Sequence, residues 1–164
     1  MAGIDDLVQR GVADPARLGV MGWSYGGYLT AFTITQTTRF RAASVGAGIT
    51  DLVSYVGVAD IPGFIASYFG GEFWDAPDLW RTRSPVLNVN AVTTPTLIQH
   101  GENDVRVPVS QGYELYTALK RRNVPVTMVV YPRQGHSVEE PKLQLDVMRR
   151  NLEWFRRWVR DARD

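Results

Sequence analysis

The sequence predicts an α/β fold of about four parallel strands with helices on both faces. Three observations carry this. Short apolar runs of strand length, near residues 18–21, 42–48, 96–100 and 125–131, alternate with helix-compatible stretches. The second run, Ala42 to Gly48, is built of small residues, as suits a strand closely covered by helices on both sides. Between the first run and the helix after it lies Gly22-Trp23-Ser24-Tyr25-Gly26-Gly27-Tyr28, a tight turn with a serine at its apex. Right-handed crossovers between successive parallel strands then set the local topology.

Taken in order, residues 4–10 place Ile4, Leu7 and Val8 on one helix face, and Gly11 and Asp14-Pro15 end that helix in a turn. The helix after the serine turn runs to about Thr37. Its threonines (Thr30, Thr33, Thr35, Thr37) are weak helix formers, so tertiary packing has to hold it. Residues 49–90 are the least regular part. Short helices are expected over 50–55, over 62–70 and ahead of Ser84-Pro85, with Asp51 as a helix cap. The aromatic group Tyr68, Phe69, Phe73 and Trp74 reads mainly as a satellite hydrophobic cluster. Tyr55 is the best candidate in this region for the wall of an apolar substrate pocket. Pro95 leads into the third strand and Ser110 to Arg122 forms a helix. Pro125 to Tyr131 is the fourth strand and Glu139 to Arg160 the final helix, whose arginines gather toward its C-terminal end and face water.

Composition narrows the function. The chain has 164 residues, 45% hydrophobic and 21% charged, with a net charge of +1. One domain is expected over 1–164. So balanced a charge gives no reason to expect a nucleic-acid or membrane partner. Two histidines and no cysteine leave a metal site poor in candidates and exclude disulfides, and no cofactor motif is visible, so no metal or cofactor is expected. The lack of cysteine and of a basic-then-apolar leader in residues 1–14 fits a cytoplasmic protein.

G-x-S-x-G between a strand and a helix is the nucleophile elbow of α/β-hydrolases. The glycines are expected to make room for side chains that would otherwise collide two residues either side of the serine. In an open α/β sheet the chemistry lies beyond the carboxyl ends of the strands. Ser24 follows the first strand, Asp104 the third and His136 the fourth, which is the chain order of an α/β-hydrolase triad. A serine hydroxyl needs a base in hydrogen-bond reach, histidine serves near neutral pH, and a carboxylate orients the imidazole. His100, within the end of a strand, reads as structural. Asp51 and Asp60 are rivals to Asp104, but both read better as helix caps or solvent-facing residues. The backbone N–H of Tyr25 supplies one oxyanion donor. A second usually comes from a loop ahead of the elbow, and the 23 residues before Ser24 contain no H-G-G-G-like stretch.

These residues, together with Pro95-Thr96-Leu97-Ile98, His100-Gly101, Asp104-Val105-Arg106-Val107-Pro108 and Gly135-His136, resemble the catalytic domain of the prolyl oligopeptidase family. The likeness is strongest to the dipeptidyl-peptidase and acylaminoacyl-peptidase branches and covers nearly the whole chain. It implies Ser24 as nucleophile, Asp104 as orienting acid and His136 as base. Tyr25 would donate its N–H and line the pocket, with Leu52, Tyr55 and Val107 as further walls. Leu52 stands where the family often has an aromatic. Members of the family carry a β-propeller ahead of this domain and a sheet usually of eight strands. The resemblance therefore implies a truncated or naturally minimal α/β-hydrolase.

Two expectations follow. The chain cleaves small esters or peptides through an acyl-enzyme; the alternative is a catalytically weak or inactive folded fragment of a larger peptidase that serves as an assembly unit. With its usual neighbours gone, the strand at 17–21 is a bare edge, and it is expected to pair with a second copy in a homodimer.

Overall fold

A computed structural model describes residues 1–161. In it β1 (Gly19–Trp23), β2 (Ala42–Gly46), β3 (Thr96–Gly101) and β4 (Val126–Tyr131) form one sheet in the order β1-β2-β3-β4. All three pairings are parallel. The expected fold class is the one observed.

Because each strand is added on the same side of the last, right-handed crossovers put the connecting segments on one face. Those segments are α2 (Tyr25–Gln36), the chain from α3 (Leu52–Val56) through α4 (Phe64–Phe69), α5 (Pro77–Arg83) and a 3₁₀ segment Pro85–Ala91, and α6 (Ser110–Arg121). Strand periodicity decides which side chains meet them. Ala43, Val45 and Ile98 form the main core with Ala31 and Ile34 of α2, Val89 of the 3₁₀ segment, and Leu115 and Leu119 of α6. The 3₁₀ segment lies in the stretch that the sequence left irregular. A short helix α1 (Ala2–Gln9) precedes β1, where Asp5 accepts a hydrogen bond from Arg39 at 2.6 Å.

The final helix, α7 (Pro141–Phe155), covers the opposite face and continues as a π-turn over Arg156–Arg160. Its anchorage is polar. Ser44 Oγ and Gln99 Nε2 both donate to Asn151 Oδ1, at 2.6 and 3.1 Å, and Tyr131 OH donates to Gln99 Oε1 at 2.7 Å. A buried amide is tolerated because its partners are buried with it. The small side chains of β2 let the cover come close. A Cβ on Gly46 would lie 2.0 Å from the Trp23 ring.

The threonines of α2 are accommodated as expected. Thr30 and Thr35 are buried, and their hydroxyls donate to the carbonyls of Gly26 and Phe32 at 2.8 and 2.7 Å. Residues 49–80 build the second hydrophobic cluster, in which Ile49, Leu52, Tyr55, Ile65, Trp80 and Val107 are buried. Asp51 caps α3, its Oδ1 accepting from the N–H groups of Val53 and Ser54 at 2.9 and 3.3 Å.

The elbow glycines need one correction. A Cβ on Gly22 would lie 2.3 Å from the Gly26 carbonyl oxygen, and one on Gly27 would lie 2.4 Å from that of Gly46; a Cβ on Gly26 meets nothing within 4 Å. Room is therefore needed at 22 and 27, where backbones touch, and not at 26. Gly27→Ala is expected to destabilise the fold by about 1–3 kcal/mol through overpacking. Gly26→Ala, in the first turn of α2, is expected to leave stability unchanged or raise it by up to about 1 kcal/mol. Urea unfolding of the two variants measures both, and equal losses would refute the distinction.

Candidate active site

The site is assembled from three loops at the carboxyl end of the sheet. Ser24 ends β1 with φ 59° and ψ −120°, a left-handed conformation that an L side chain adopts at a cost of about 1–3 kcal/mol. Its N–H donates to Gly46 O at 2.9 Å and its carbonyl accepts from Tyr28 N at 3.0 Å, so strand and helix hold the strained residue from both sides. Tyr25, the first residue of α2, carries an N–H that has no partner within the helix.

Asp104 lies in the β3–α6 loop and its side chain is fully buried. Oδ1 accepts from the N–H groups of Arg106 and Val107, at 3.0 and 2.9 Å. The Asp-x-Arg-Val sequence thus turns back on its own carboxylate, a local motif that suits aspartate. Oδ2 faces His136 Nδ1 at 2.8 Å, and His136 Nε2 faces Ser24 Oγ at 2.7 Å. A carboxylate only accepts, so Nδ1 carries the proton and the Nε2 lone pair receives the serine O–H. Ser24, Asp104 and His136 are therefore brought together in a single line of hydrogen bonds.

The loop holding His136 is tied down by residues that sequence reasoning missed. Trp23 Nε1 donates to the His136 carbonyl at 2.8 Å. Gln134 Oε1 accepts from the N–H groups of Glu139 and Glu140, at 2.8 and 3.2 Å, and its Nε2 donates to Glu140 Oε1 at 2.7 Å. The Gln134 carbonyl in turn accepts from Asn103 N at 2.8 Å, which joins this loop to the one carrying Asp104. Trp23 sits inside the elbow motif, but its partner is 113 residues away and no local pattern announces the contact.

An apolar hollow reaches Tyr25, the residue after the serine. It is lined by Tyr25 and Leu52 with Tyr28, Ile49, Phe64 and Phe69. Tyr55 and Val107 are not on its wall. Both are almost wholly buried in the second cluster beside Trp80. Asp60 is paired in the open with Arg106, by two hydrogen bonds of 2.7 and 3.2 Å. Asp51 is occupied as a cap, so neither rival reaches His136 in place of Asp104.

His100 is inside the protein, as a structural residue should be. Its Nε2 meets the Val107 carbonyl at 2.7 Å, while Asp104 Oδ2 is 3.7 Å away, too far for a hydrogen bond. Burial holds its pKa below the ordinary histidine value, against weaker opposing pulls from the Val107 carbonyl and Asp104. Among the described residues no cluster of three or more His, Cys, Asp or Glu could hold a metal ion, and no helix is long and apolar enough to cross a membrane.

A parallel sheet with a strained serine between β1 and α2, and with an aspartate and a histidine after later strands, is an α/β-hydrolase fold. The chain belongs to the prolyl oligopeptidase family, whose model matches residues 1–162. It is 34% identical to the acylamino-acid-releasing enzyme of Arabidopsis thaliana over 96% of its own length and 22% of that protein's. It is 35% identical to the lasso peptide isopeptidase AtxE2 of Asticcacaulis excentricus, covering 98% of the chain and 23% of the relative. Among solved structures, a Mycobacterium tuberculosis puromycin-hydrolyzing peptidase superposes with a TM-score of 0.92 at 28% identity, over 96% of this chain and 24% of that one. An acylaminoacyl peptidase in complex with Z-Gly-Gly-Phe-chloromethyl ketone superposes with a TM-score of 0.91 at 26% identity, over 99% and 27%. The chain thus spans about a quarter or less of the relatives it matches, and those relatives are peptidases.

The buried histidine has a consequence for stability. Above about pH 6.5 His100 is neutral in folded and unfolded chains alike. As pH falls below that value the unfolded chain takes up the proton first, because the folded pKa is depressed, so stability falls. His100→Gln removes this contribution. Urea unfolding at about pH 7.5 and about pH 5.5 is expected to show a larger acid loss for the unsubstituted chain than for H100Q; equal losses would contradict it.

Proposed function

We propose that the chain is a serine hydrolase acting on ester or peptide bonds through Ser24, His136 and Asp104. The observation that carries this is the line of hydrogen bonds from Ser24 Oγ through the His136 ring to Asp104, at 2.7 and 2.8 Å. Ser24 Oγ attacks the substrate carbonyl carbon as His136 Nε2 takes the hydroxyl proton. The tetrahedral oxyanion accepts from the Tyr25 N–H. Collapse breaks the bond to the leaving group, which departs with the proton from His136 and leaves an acyl ester on Ser24. Water then attacks this ester as His136 takes its proton, and the acyl–Oγ bond breaks as His136 passes that proton to Ser24 Oγ, releasing the acid and free serine. Asp104 stays a carboxylate throughout and stabilises the imidazolium.

The hollow beside Tyr25 suits an apolar side chain or acyl group. The solved relative bound to a phenylalanyl chloromethyl ketone supports that reading, and the peptidase and isopeptidase relatives support amide substrates. Esters have a lower intrinsic barrier to acyl transfer than amides. Short-chain esterase activity is therefore expected to be the easier to detect. A second reading, a catalytically weak folded portion of a larger peptidase, is favoured by the coverage of only 22–24% of the curated relatives.

Association through β1 is part of the proposal. Among the described residues β1 has a strand neighbour on one side only, and Gly19 and Met21 are exposed where every residue of β2 and β3 is buried. Leu145, Met148 and Leu152 of α7 add exposed apolar surface. A second copy, joined β1 to β1 about a two-fold axis, would cover both.

Labelling with a fluorophosphonate probe is expected for the unsubstituted chain and absent in Ser24→Ala, with His136→Ala and Asp104→Asn slower by about a thousandfold or more. Ser24-independent labelling, or none, would overturn the hydrolase reading. Hydrolysis of p-nitrophenyl esters against aminoacyl-nitroanilides separates esterase from peptidase. Light scattering at micromolar concentration is expected to give twice the chain mass, and a monodisperse monomer would sink the homodimer.

A further inference from the structure

We infer that His100 is a positioning residue for the Asp104 carboxylate, holding the β3–α6 loop from inside through the Val107 backbone. The inference rests on the reading of Ser24, His136 and Asp104 as a working triad.

Val107 is tied at both of its backbone groups. Its N–H donates to Asp104 Oδ1 at 2.9 Å, and its carbonyl accepts from His100 Nε2 at 2.7 Å. The imidazole at the end of β3 therefore reaches across the loop and fixes the residue that fixes the carboxylate. A carbonyl oxygen only accepts, so Nε2 carries the proton and His100 is the Nε2–H tautomer.

A core histidine could be a packing residue alone, and its other nitrogen argues against that. His100 is 0% exposed, and its Nδ1 is buried with no hydrogen-bond partner. Nδ1 faces Gly112, where a Cβ would come within 3.0 Å of it and within 2.8 Å of the Met128 methyl. An apolar side chain would fill this space without leaving an acceptor unsatisfied. What the imidazole supplies and an apolar residue lacks is the donor to Val107 O. That donor aims at the loop that presents Asp104, and the ring passes Asp104 Oδ2 at 3.7 Å without bonding to it. Oδ2 is thereby left to His136.

The test compares two polar replacements. In His100→Gln the side-chain amide nitrogen can lie near the Nε2 position and keep the donor; in His100→Asn it falls short. The readout is the low-field proton NMR signal of His136 Nδ1–H bonded to Asp104, which needs no turnover. H100N is expected to lose this signal and to label with fluorophosphonate about ten- to a hundredfold more slowly, the cost of a misplaced catalytic group. H100Q is expected to keep the signal and most of the rate. H100N retaining signal and rate, or H100Q losing both as fully as H100N, would overturn the inference. A second measurement needs no variant. With two histidines in the chain, ¹⁵N-histidine spectra assign His100, which is expected to be a neutral Nε2–H tautomer. An Nδ1–H tautomer at His100 would equally overturn it. If the unsubstituted chain shows the low-field proton, H100N loses it and H100Q keeps it, yet no Ser24-dependent labelling occurs, the positioning role stands and the hydrolase reading falls.

Discussion

The arrangement depends on the burial of one carboxylate. Asp104 has lost its water, and a buried carboxylate is tolerable only where donors replace that water. Three do so: two backbone N–H groups on Oδ1 and the His136 ring on Oδ2. The first two come from the loop's own residues, so the loop conformation and the carboxylate position are the same fact. The third gives the site its direction. With Nδ1 committed to donation, His136 has one nitrogen left, and it can only accept. The proton on Ser24 then has a defined destination before any substrate arrives. The loops bearing Asp104 and His136 are also joined through Asn103 and Gln134, so acid and base are placed as a unit.

The nucleophile is placed by other means. Ser24 is held in an unfavourable backbone conformation, and the cost is offset by what surrounds it. β1 hydrogen-bonds β2 through Ser24 N and Gly46 O, and α2 comes so close to β2 that Gly27 admits no side chain. Ala31 and Ile34 of α2 are buried against Ala43 and Val45. The strain at one residue is small beside the burial of several apolar side chains, at about 1.5–3 kcal/mol for each large one. The weak helix propensity of the threonines is outweighed in the same way.

Much of this was legible in the sequence. Strands could be found because each is a short apolar run bounded by turn residues, and the meeting of Ser24, Asp104 and His136 because topology puts the loops after β1, β3 and β4 at one end of the sheet. Legibility ended where contacts are distant in sequence. Asn151 bridging Ser44 and Gln99, Trp23 bonding the His136 carbonyl, and Gln134 bracing the turn before α7 follow no periodicity. The irregular stretch 49–90 hid most. Its helices are short, and which aromatic faces the hollow is decided by how α4 packs. Phe64 and Phe69 line it while Tyr55 turns inward. At the elbow the pattern pointed to Gly22 and Gly26; the crowding is at Gly22, as expected, and at Gly27 in place of Gly26, because backbone approach depends on the path of the neighbouring chain.

The sheet is unevenly supported, and this bears on the chemistry. β3 lies between two strands and leads into the loop that carries Asp104; β4, outermost on its side among the described residues, leads to His136. β1 leads to Ser24, the proposed nucleophile, and is the other outermost strand among the described residues, half-exposed along its length. Asp104 is thus referenced to the interior, and Ser24 and His136 to the two outer strands. Edge strands open at lower free-energy cost than central ones. The contact from His136 Nε2 to Ser24 Oγ joins the loops that follow the two outer strands. Under the proposed hydrolase reading, a second copy covering β1 would act on the rate without touching substrate, by holding the strand that aims Ser24. Trp23 already does part of this work from within the chain, since its indole joins the edge strand to the histidine loop.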